Sequence, residues 1–333
     1  MIEIYKDFEL ITIDPVYTDF IWRRRFSRAG EFQLITNFTT EKLSLFAQGN
    51  VIYKRNVDEA GFIESRNVIQ TIDNDLMLVV RGRFLPSLLD RRVVTLTGDF
   101  NLPTLLDDII SNNFLASAGH LRSIAPVVRL LPSMLPSINV SVEYQRRNVY
   151  DAVVNLLQVN NNGMRVQYNL DNRTFDISFY QPAETDVVFS KEFANIIEQD
   201  YRDDNEGYRN VVYVEDQYIH NNHLHSGLER REVAVSAPRA GSTTLSQTAR
   251  DALNEHKAVR TLSSVVNPFN KQFEYLKDWD IGSVVTSENR TLGYSEREVI
   301  TEITEFYDQS GLNLEVNLGD YIERGDMRVS SHR

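Results

Sequence analysis

The strongest pattern in the chain is an alternation of apolar and polar residues between Gly311 and Gly319. Every second residue of this run is leucine or valine, and the residues between them are polar. Successive side chains of a strand point to opposite faces, so a period of two is typical of a strand with one buried face. The preceding segment 308–311 ends in glycine, which suits a hairpin turn. The chain is therefore predicted to end in antiparallel β-sheet.

A similar layout occurs earlier in the chain. Residues 49–53 (GNVIY) resemble residues 282–286 (GSVVT), and an alternating run precedes Gly82 as one precedes Gly319. The two glycine-to-glycine spans are 33 and 37 residues long. We interpret them as two copies of one small antiparallel unit. The alternative is that unrelated β-meanders share these features.

The length of 333 residues predicts two or three domains. The predicted fold class is α+β and mainly β. Residues 1–95 are predicted to form a first small β-barrel with one helix, which Thr39 or Thr40 caps. Residues 96–186 form an inserted α+β domain and residues 187–320 a second barrel with a helical insertion at 245–257. Residues 321–333 are predicted to be a flexible tail.

Composition and charge exclude several classes of protein. The chain has no cysteine, so disulfides and thiol chemistry are excluded. Its start lacks the pattern of a signal peptide, and no apolar run approaches the ~20 residues of a membrane span. The net charge is −12, and residues 273–320 hold eleven Asp and Glu against three Lys and Arg. Such a surface is expected to repel a nucleic-acid backbone rather than bind it.

Candidate metal ligands are few. His223 and His225 would point the same way on a strand, with His220 nearby, but no carboxylate or cysteine at ligand spacing supports them. The acidic run 200–206 lacks the spacing of an EF-hand loop. We interpret both as solvated loops and predict no metal ligand.

No catalytic pattern stands out either. The chain has no phosphate-binding loop, no nucleophile elbow and no zinc-protease motif. The paired acids Asp107 and Asp108, and Glu296 and Glu298, come without a predicted apolar pocket that would retune a carboxyl group. We therefore predict no catalytic residue, no cofactor and no enzymatic activity, and a hydrolase is the last-ranked hypothesis.

Arginines occur in a triplet at 23–25 and in doublets at 91–92, 146–147 and 230–231. They are scattered, and most lack interleaved aromatic residues, so they do not predict a nucleic-acid surface. We interpret them as pairing between subunits, with an ordinary solvated surface as the alternative.

Two groups of segments form a recognisable signature. Near the N-terminal end they are Arg25, 29–34 (AGEFQL), 61–64 (GFIE), 80–85 (VRGRFL) and 88–92 (LLDRR), and near the C-terminal end it is 275–285 (YLKDWDIGSVV). These segments resemble the siphovirus tail hub proteins, also called tail-associated or baseplate hub proteins. The resemblance thus touches both ends of the chain.

This resemblance implies a homotrimer in which each chain gives two related tube barrels, so that three subunits match sixfold symmetry. It implies a location at the virion tail tip, after synthesis in the host bacterial cytoplasm without a signal peptide. The implied partners are the tail tube or distal tail protein ring, the tape measure protein, and a spike, fibre or receptor-binding protein. DNA would pass the lumen without specific binding, and the chain would not insert into a membrane.

A second hypothesis is a carbohydrate- or cell-wall-binding β module. Trp22 and Trp279 could stack on sugars if they were exposed, although aromatic residues at strand starts are more often part of a core.

Overall fold

One ten-stranded sheet runs through the molecule, and the other elements are arranged around it. The computed structural model describes residues 2–13, 16–57, 59–72, 74–124, 127–215, 218–236, 245–267, 270, 272–291, 293–309 and 311–319. The predicted tail at 321–333 lies outside these residues. The fold is mainly β, as predicted. No helix in the described part of the chain is long and apolar enough to cross a bilayer.

The first β unit contains eight strands, one α-helix and a buried 3₁₀ helix at Leu85–Arg91. Its elements are β1 (Ile2–Lys6), β2 (Glu9–Ile13), β3 (Asp19–Arg25), β4 (Glu31–Asn37), α1 (Thr40–Leu45), β5 (Val51–Lys54), β6 (Glu59–Phe62), β7 (Ser65–Gln70) and β8 (Leu76–Arg83). The Thr39 side chain accepts a hydrogen bond from the Lys42 N–H and caps α1, as predicted. One layer has the strand order β2-β1-β5-β6, and β3, β4, β8 and β7 form the other.

The middle unit follows the first β unit in the chain. Its elements are β9 (Val93–Asn101), α2 (Leu102–Phe114), β10 (Val128–Leu130), β11 (Asn139–Asn148), α3 (Val149–Val159), β12 (Gly163–Asn169) and β13 (Thr174–Tyr180). Its core continues onto the outer face of the four-stranded layer, where Tyr5, Tyr53 and Phe62 pack against it. The segment 116–136 contains the short strand β10, which pairs parallel to β13.

The second β unit begins with β14 (Ala183–Phe189) and β15 (Ile196–Asp204) and ends with β19 (Val259–Val266), β20 (Ser283–Asn289), β21 (Tyr294–Asp308) and β22 (Gly311–Gly319). Between β15 and β19 stand β16 (Val211–Val214), β17 (Tyr218–His220), β18 (Glu232–Val235) and α4 (Leu245–Glu255). We predicted β16 and β18 as part of the second barrel. Instead, β16 pairs with β18 on one side and with β17 on the other in a separate sheet, and α4 packs on it. Once the chain leaves β15, the apolar face of α4 gives these strands a small core of their own.

The two β units repeat one order of strand pairing. In the first unit, β5 pairs with β6, which continues as β7; β7 then pairs with β8, β8 with β4, and β4 with β3. In the second unit, β20 pairs with β21, β21 with β22, β22 with β19, and β19 with β15. All these pairs are antiparallel, and equivalent strands follow the same order along the chain. Gly49 and Gly282 precede equivalent strands with φ of 86° and 82°. The repeat predicted from the sequence is therefore present as strand order.

The repeat is not complete. β1 runs antiparallel to β5, whereas β14 runs parallel to β20. No pairing among the described strands closes either unit into a barrel, so barrel closure stays a prediction. Each unit has its own apolar core, and both cores lie on the same face of the ten-stranded sheet.

Candidate functional site

The two β units meet where β21 pairs antiparallel with β3, a contact that we call the seam. Six residue pairs form it, from Glu302 opposite Arg25 to Tyr307 opposite Phe20. Because side chains alternate along β3, Arg24 points to the core face of the sheet, and Arg23 and Arg25 point to the other face. The arginine triplet therefore supplies cations to both faces of the seam.

On the core face, Arg24 is almost completely buried between carboxylates from both β units. Its guanidinium donates to Glu59 of β6 at 2.7 and 2.8 Å, to Asp280, and to the Tyr275 hydroxyl at 3.0 Å. Burial alone would lower the pKa of Arg24, but electrostatic interactions with Glu59, Tyr275 and Asp280 hold it well above its ordinary value. Arg24 therefore stays charged and connects the first β unit to the segment that leads into β20.

A second buried ion pair lies on the same face. The Lys54 ammonium of β5 donates to Glu305 of β21, and Glu305 also accepts hydrogen bonds from the hydroxyls of Tyr307 and Tyr275, the latter at 2.9 Å. Burial lowers the pKa of Lys54, and the charge of Glu305 offsets only part of that shift. The same burial, with Glu305 nearby, raises the pKa of Tyr307. This pair also crosses from one β unit to the other.

On the opposite face, two carboxylates are shared by the remaining arginines of the triplet. Glu31 of β4 accepts from Arg23 at 2.7 Å and from Arg25 at 2.8 Å. Glu302 of β21 accepts from Arg25 at 2.9 Å and lies 3.7 Å from Arg23. The prediction that the triplet pairs between subunits is wrong, because these arginines are largely buried and pair within the chain.

The arginine doublets also find partners within the chain. The Arg91 guanidinium lies 4.9 Å from the Phe62 ring centre, and Arg92 donates to the Arg122 carbonyl. Arg147 pairs with Asp251 at 3.5 Å, and Arg230 pairs with Glu232. At least one arginine of each doublet therefore has a partner within the chain, and pairing between subunits at the doublets stays a prediction.

Phe26 marks a junction of three units. It follows β3 at the hairpin tip, belongs to the core of the second β unit and meets Tyr180 of the middle unit edge to face. A Cβ on Gly163 or on Gly282 would come within 2.4 and 2.6 Å of its ring. Both glycines are therefore required for the ring to fit between the units.

The ten-stranded sheet ends in two open edges. Among the described strands, β7 pairs only with β8, and β15 pairs only with β19. Val68 and Ile69 on β7 are each 40% exposed, and Ile197 and Tyr201 on β15 are 57% and 36% exposed. An edge with unpaired backbone groups and exposed apolar side chains is suited to pairing with another chain.

The tryptophans do not support a carbohydrate site. Trp22 is 0% exposed and Trp279 is 2% exposed, and each packs against a phenylalanine ring. The exposed stacking surface on which that hypothesis depended is absent at these two residues, because both indoles fill the unit cores.

The histidines are not arranged as a metal site. β17 ends at His220, so His223 and His225 do not share a strand as the chelating geometry required. His220 instead lies 3.0 Å from the Tyr218 hydroxyl. Across the residues that the structure describes, no three His, Asp or Glu side chains are grouped so that they could hold a metal ion.

The acidic candidates are equally dispersed. Asp200, Asp203 and Asp204 lie on β15, and the Glu206 N–H donates to Asp204. Burial, with Asp108 nearby, raises the pKa of Asp107 on α2, but Glu296 and Glu298 lie on the distant strand β21. The structure therefore does not bring these carboxylates together.

Sequence reasoning missed the carboxylates and the lysine that complete the seam. Glu302 and Glu305 carried a signal, since they stand inside the run 299–307, which is otherwise apolar or threonine. Asp280 lies inside the segment that resembles tail hub proteins. Lys54 and Glu59 gave no signal, because they stand directly before and after residues 55–58, which have the composition of an ordinary surface turn.

Comparisons with known proteins agree with this architecture. A family model described as Siphovirus ReqiPepy6 Gp37-like protein matches residues 2–320. The 43 kDa tail protein of prophage MuSo2 from Shewanella oneidensis has a similar fold, with a TM-score of 0.58 at 11% identity over 96% of this chain and 97% of that one.

Two further solved structures have the same kind of fold. A tail protein from Neisseria meningitidis has a TM-score of 0.58 at 12% identity, over 96% of each chain. Prophage tail protein gp18 from Listeria monocytogenes has a TM-score of 0.55 at 15% identity, over 96% of this chain and 94% of that one. No curated protein matches the sequence. The resemblance to siphovirus tail proteins is therefore confirmed at the level of family and fold.

Proposed function

The chain belongs to the Siphovirus ReqiPepy6 Gp37-like protein family, and from this premise we propose that it is the hub of a phage tail. In this proposal three copies form a ring that closes the distal end of the tail tube. Each copy supplies two similar β units, so a threefold ring fits a tube of sixfold symmetry. The observation that carries the proposal is the repeated strand order within one sheet that has an open edge at each end.

The seam itself predicts how copies would join. Within the chain, β21 of the second β unit pairs with β3 of the first. In the repeat, β7 is equivalent to β21 and β15 is equivalent to β3. The same contact between two copies joins β7 of one copy to β15 of the next. A contact between two different edges is head to tail, and such contacts close into a ring when the rotation allows it.

Strand registers give the residues of this contact. When the strands of the two units are aligned with Leu78 of β8 matched to Leu314 of β22, their cross-strand partners Val68 and Glu305 become equivalent. Following the pairings through β4 and β19 makes Tyr201 equivalent to Trp22. Since Glu305 lies opposite Trp22 at the seam, Val68 of one copy would face Tyr201 of the next.

The same register brings opposite charges together. It places Arg66 of one copy opposite Asp203 of the next, two residues from the Val68 and Tyr201 pair. Apolar pairs and opposite charges facing each other across two strands both stabilise pairing. The two edges are thus complementary to each other in charge and in apolar character.

The sheet also predicts which face lines the ring. Both cores, the second strand layers and the middle unit lie on one face of the sheet, and only the outside of a ring has room for them. Eight strands follow one another from β15 to β7 in each chain, so three copies give 3 × 8 = 24 strands. The lumen would then be lined by the polar face, where arginines and glutamates are paired. Charges that are already paired suit DNA that must slide past without binding.

The remaining parts of the proposal follow from the position of a hub. The ring lies at the virion tail tip, in the baseplate, between the tail tube or distal tail protein ring and a spike, fibre or receptor-binding protein. The tape measure protein ends at its lumen. The role is structural, without catalysis or cofactor, and the chain is made in the host cytoplasm.

Cysteine cross-linking tests the ring directly, because the natural chain has no cysteine. We expect Val68→Cys/Tyr201→Cys to give covalently linked trimers under mild oxidation, read on non-reducing gels and by light scattering. Each single variant should yield no linked trimer. The double variant Val68→Cys/Gln199→Cys, displaced by two residues, is the matched control and should link poorly.

Two results would contradict the proposal. One is a protein that stays monomeric at high concentration with the tail partners present. The other is a linked species whose mass corresponds to a dimer or an open ladder rather than to three copies.

A further inference from the structure

The seam joins two β units that each have a separate core, so the pairing of β21 with β3 does not by itself fix their relative height. A slip of one residue would reverse the faces of a strand, but a slip of two would keep apolar and polar faces in place. Such a slip moves one unit by about 7 Å along the strand direction, at about 3.3 Å per residue. Something other than the alternation must therefore select one register.

Buried charges cross the seam on both faces. On the core face, Arg24 donates to Asp280 and Lys54 donates to Glu305. On the polar face, Arg25 donates to Glu302 at 2.9 Å. In each pair the cation belongs to the first β unit and the carboxylate to the second. All three pairs form together in the observed register only, since a slip of two residues separates every one of them.

The expected stabilisation from these pairs is small, which points to a different role. Replacing a complete buried ion pair by apolar residues is often neutral or stabilising, whereas leaving one buried charge unpaired is strongly destabilising. A slip that places Thr304 opposite Ile21 would leave both Lys54 and Glu305 unpaired in the interior, whereas the slip in the other direction would bring Glu305 opposite Arg24 and leave Lys54 unpaired. In both cases at least one buried charge loses its partner.

We propose that the ion pairs across the seam are a register lock: they set the height of one β unit against the other by penalising every alternative pairing of β21 with β3. The lock itself depends on contacts within one chain. Its consequence for assembly rests on the proposed function, since six units close into a planar ring only when both units of each chain stand at one height.

A competing device exists at the end of the same strand. Phe26 fits between Gly163 and Gly282, and this packing would also resist a slip of β3. The test must therefore remove the charges and leave Phe26 unchanged.

Cross-linking within the chain reports the register. Ile21→Cys/Phe306→Cys joins residues that lie opposite each other at the seam, and Ile21→Cys/Thr304→Cys and Ile21→Cys/Asp308→Cys join residues that meet only after a slip of two. The lock is removed by Lys54→Met/Glu305→Leu with Tyr275→Phe and Tyr307→Phe, so that no hydroxyl loses its acceptor. The same variant carries Asp280→Asn and Glu302→Gln, which remove the carboxylate partners of Arg24 and Arg25 across the seam, while these arginines keep Glu59 and Glu31. We expect at least a tenfold rise in the ratio of slipped to native product.

A matched control removes a similar group that stays inside the first β unit. Glu3 accepts hydrogen bonds from Arg55 at 2.8 and 2.9 Å and from the Tyr5 hydroxyl at 2.8 Å. Glu3→Leu/Tyr5→Phe/Arg55→Met should leave the ratio at its wild-type value. An unchanged ratio in the folded lock-free variant would overturn the proposal and assign the register to Phe26.

A milder variant covers the case in which the sixfold replacement does not fold. Asp280→Asn/Tyr275→Phe removes the partners of Arg24 across the seam, while Arg24 keeps its paired contact with Glu59. This variant must also raise the slipped product, and no rise would count against the lock. A wild-type protein that shows one register but never forms trimers would refute the proposed ring and leave the lock standing.

Discussion

Gly282 shows how a single backbone position depends on a side chain far away in the sequence. Gly49 and Gly282 occupy equivalent places in the two β units, and both have positive φ. A Cβ at Gly49 would meet nothing within 4 Å, whereas a Cβ at Gly282 would come within 2.6 Å of the Phe26 ring. Substitutions at these two glycines therefore separate the free-energy cost of the backbone conformation from the cost of a steric clash with Phe26.

We expect Gly49→Ala to lower the free energy of unfolding by about 1–2 kcal/mol, the cost of a left-handed conformation for an L-residue. Gly282→Ala should cost that amount and roughly 1–3 kcal/mol more, because overpacking forces Phe26 to move. Urea unfolding of both variants and the wild type measures the difference. Equal losses in the free energy of unfolding for the two variants would show that Phe26 can move at no energetic cost.

Lys54 tests the buried pair with Glu305. Lys54→Met leaves the Glu305 carboxylate buried without its cation, and we expect a loss of about 3–5 kcal/mol in the free energy of unfolding. The variant Lys54→Met/Glu305→Leu removes both charges and should recover most of that loss. A double variant as unstable as the single one would mean that the pair itself supplies net stability.

At the scale of elements, the hairpin of β12 and β13 carries a carboxylate that makes stability depend on pH. Burial alone would raise the pKa of Asp176, but hydrogen bonds from Arg129, Thr174 and Asn169 hold the pKa below its ordinary value of 3.8. Arg129 donates to it at 2.5 and 3.0 Å and Thr174 at 2.7 Å. The charged form therefore stabilises the middle unit.

The sign of the pH effect follows from this lowered pKa. The unfolded chain binds the proton more tightly, so the contribution of Asp176 is complete above the unfolded value of about 3.8 and is lost as the pH falls through the lower folded-state pKa. We expect Asp176→Asn to reduce the acid dependence of unfolding in that window. Denaturant titrations between pH 2 and 6 measure it, with the exposed Asp171→Asn of the same hairpin turn as control.

The insertions follow the logic of the repeat. The hairpin tip between β3 and β4 is a short turn that docks on the middle unit, where Ser27 donates to the Asn162 carbonyl at 2.7 Å. At the equivalent place between β15 and β19, the chain inserts β16–β18 and α4. An insertion at a hairpin tip leaves the strand pairing intact, which explains why the repeat persists around it.

At the scale of the whole molecule, the open edges decide assembly. Each chain carries both Arg66 and Asp203. Exchanging the two charges in the same chain therefore keeps opposite charges facing each other at every contact of a ring. We expect Arg66→Glu to weaken trimer formation at least tenfold, because like charges would then face each other. Arg66→Glu/Asp203→Arg should restore it, as measured by sedimentation velocity.

The control for this exchange is the folded state of the single chain. Circular dichroism should be the same for all three proteins. The unfolding midpoint should fall equally in the two variants, because both lose the hydrogen bond from Arg66 to the Leu43 carbonyl. Failure of the exchange to restore trimers, with folding intact, would place the contact between copies elsewhere.

Local patterns in the sequence determined the elements and their repetition. The alternation before Gly82 and Gly319, the cap at Thr39 and the hairpin glycines are effects of neighbouring residues, and each appears in the structure where it was predicted. The two β units and the mainly β fold followed from these patterns, whereas the resemblance to tail proteins rested on short segments near both ends of the chain. Such features can be read in a sequence because strand periodicity and turn conformation depend on only a few adjacent residues.

The tertiary structure alone decided what the charged residues do and which strands belong together. Lys54 and Glu305 are 251 positions apart, and Arg24 and Asp280 are 256 apart, so no local pattern could pair them. From the sequence alone the arginine triplet is expected at the protein surface, because burying a cation is costly unless a carboxylate comes from elsewhere in the fold. Likewise, β16 and β18 do not belong to the predicted barrel, because their apolar side chains pack against α4 instead. Which side chains come together depends on the path of the whole chain, and that path is fixed by packing between units rather than by the residues on either side.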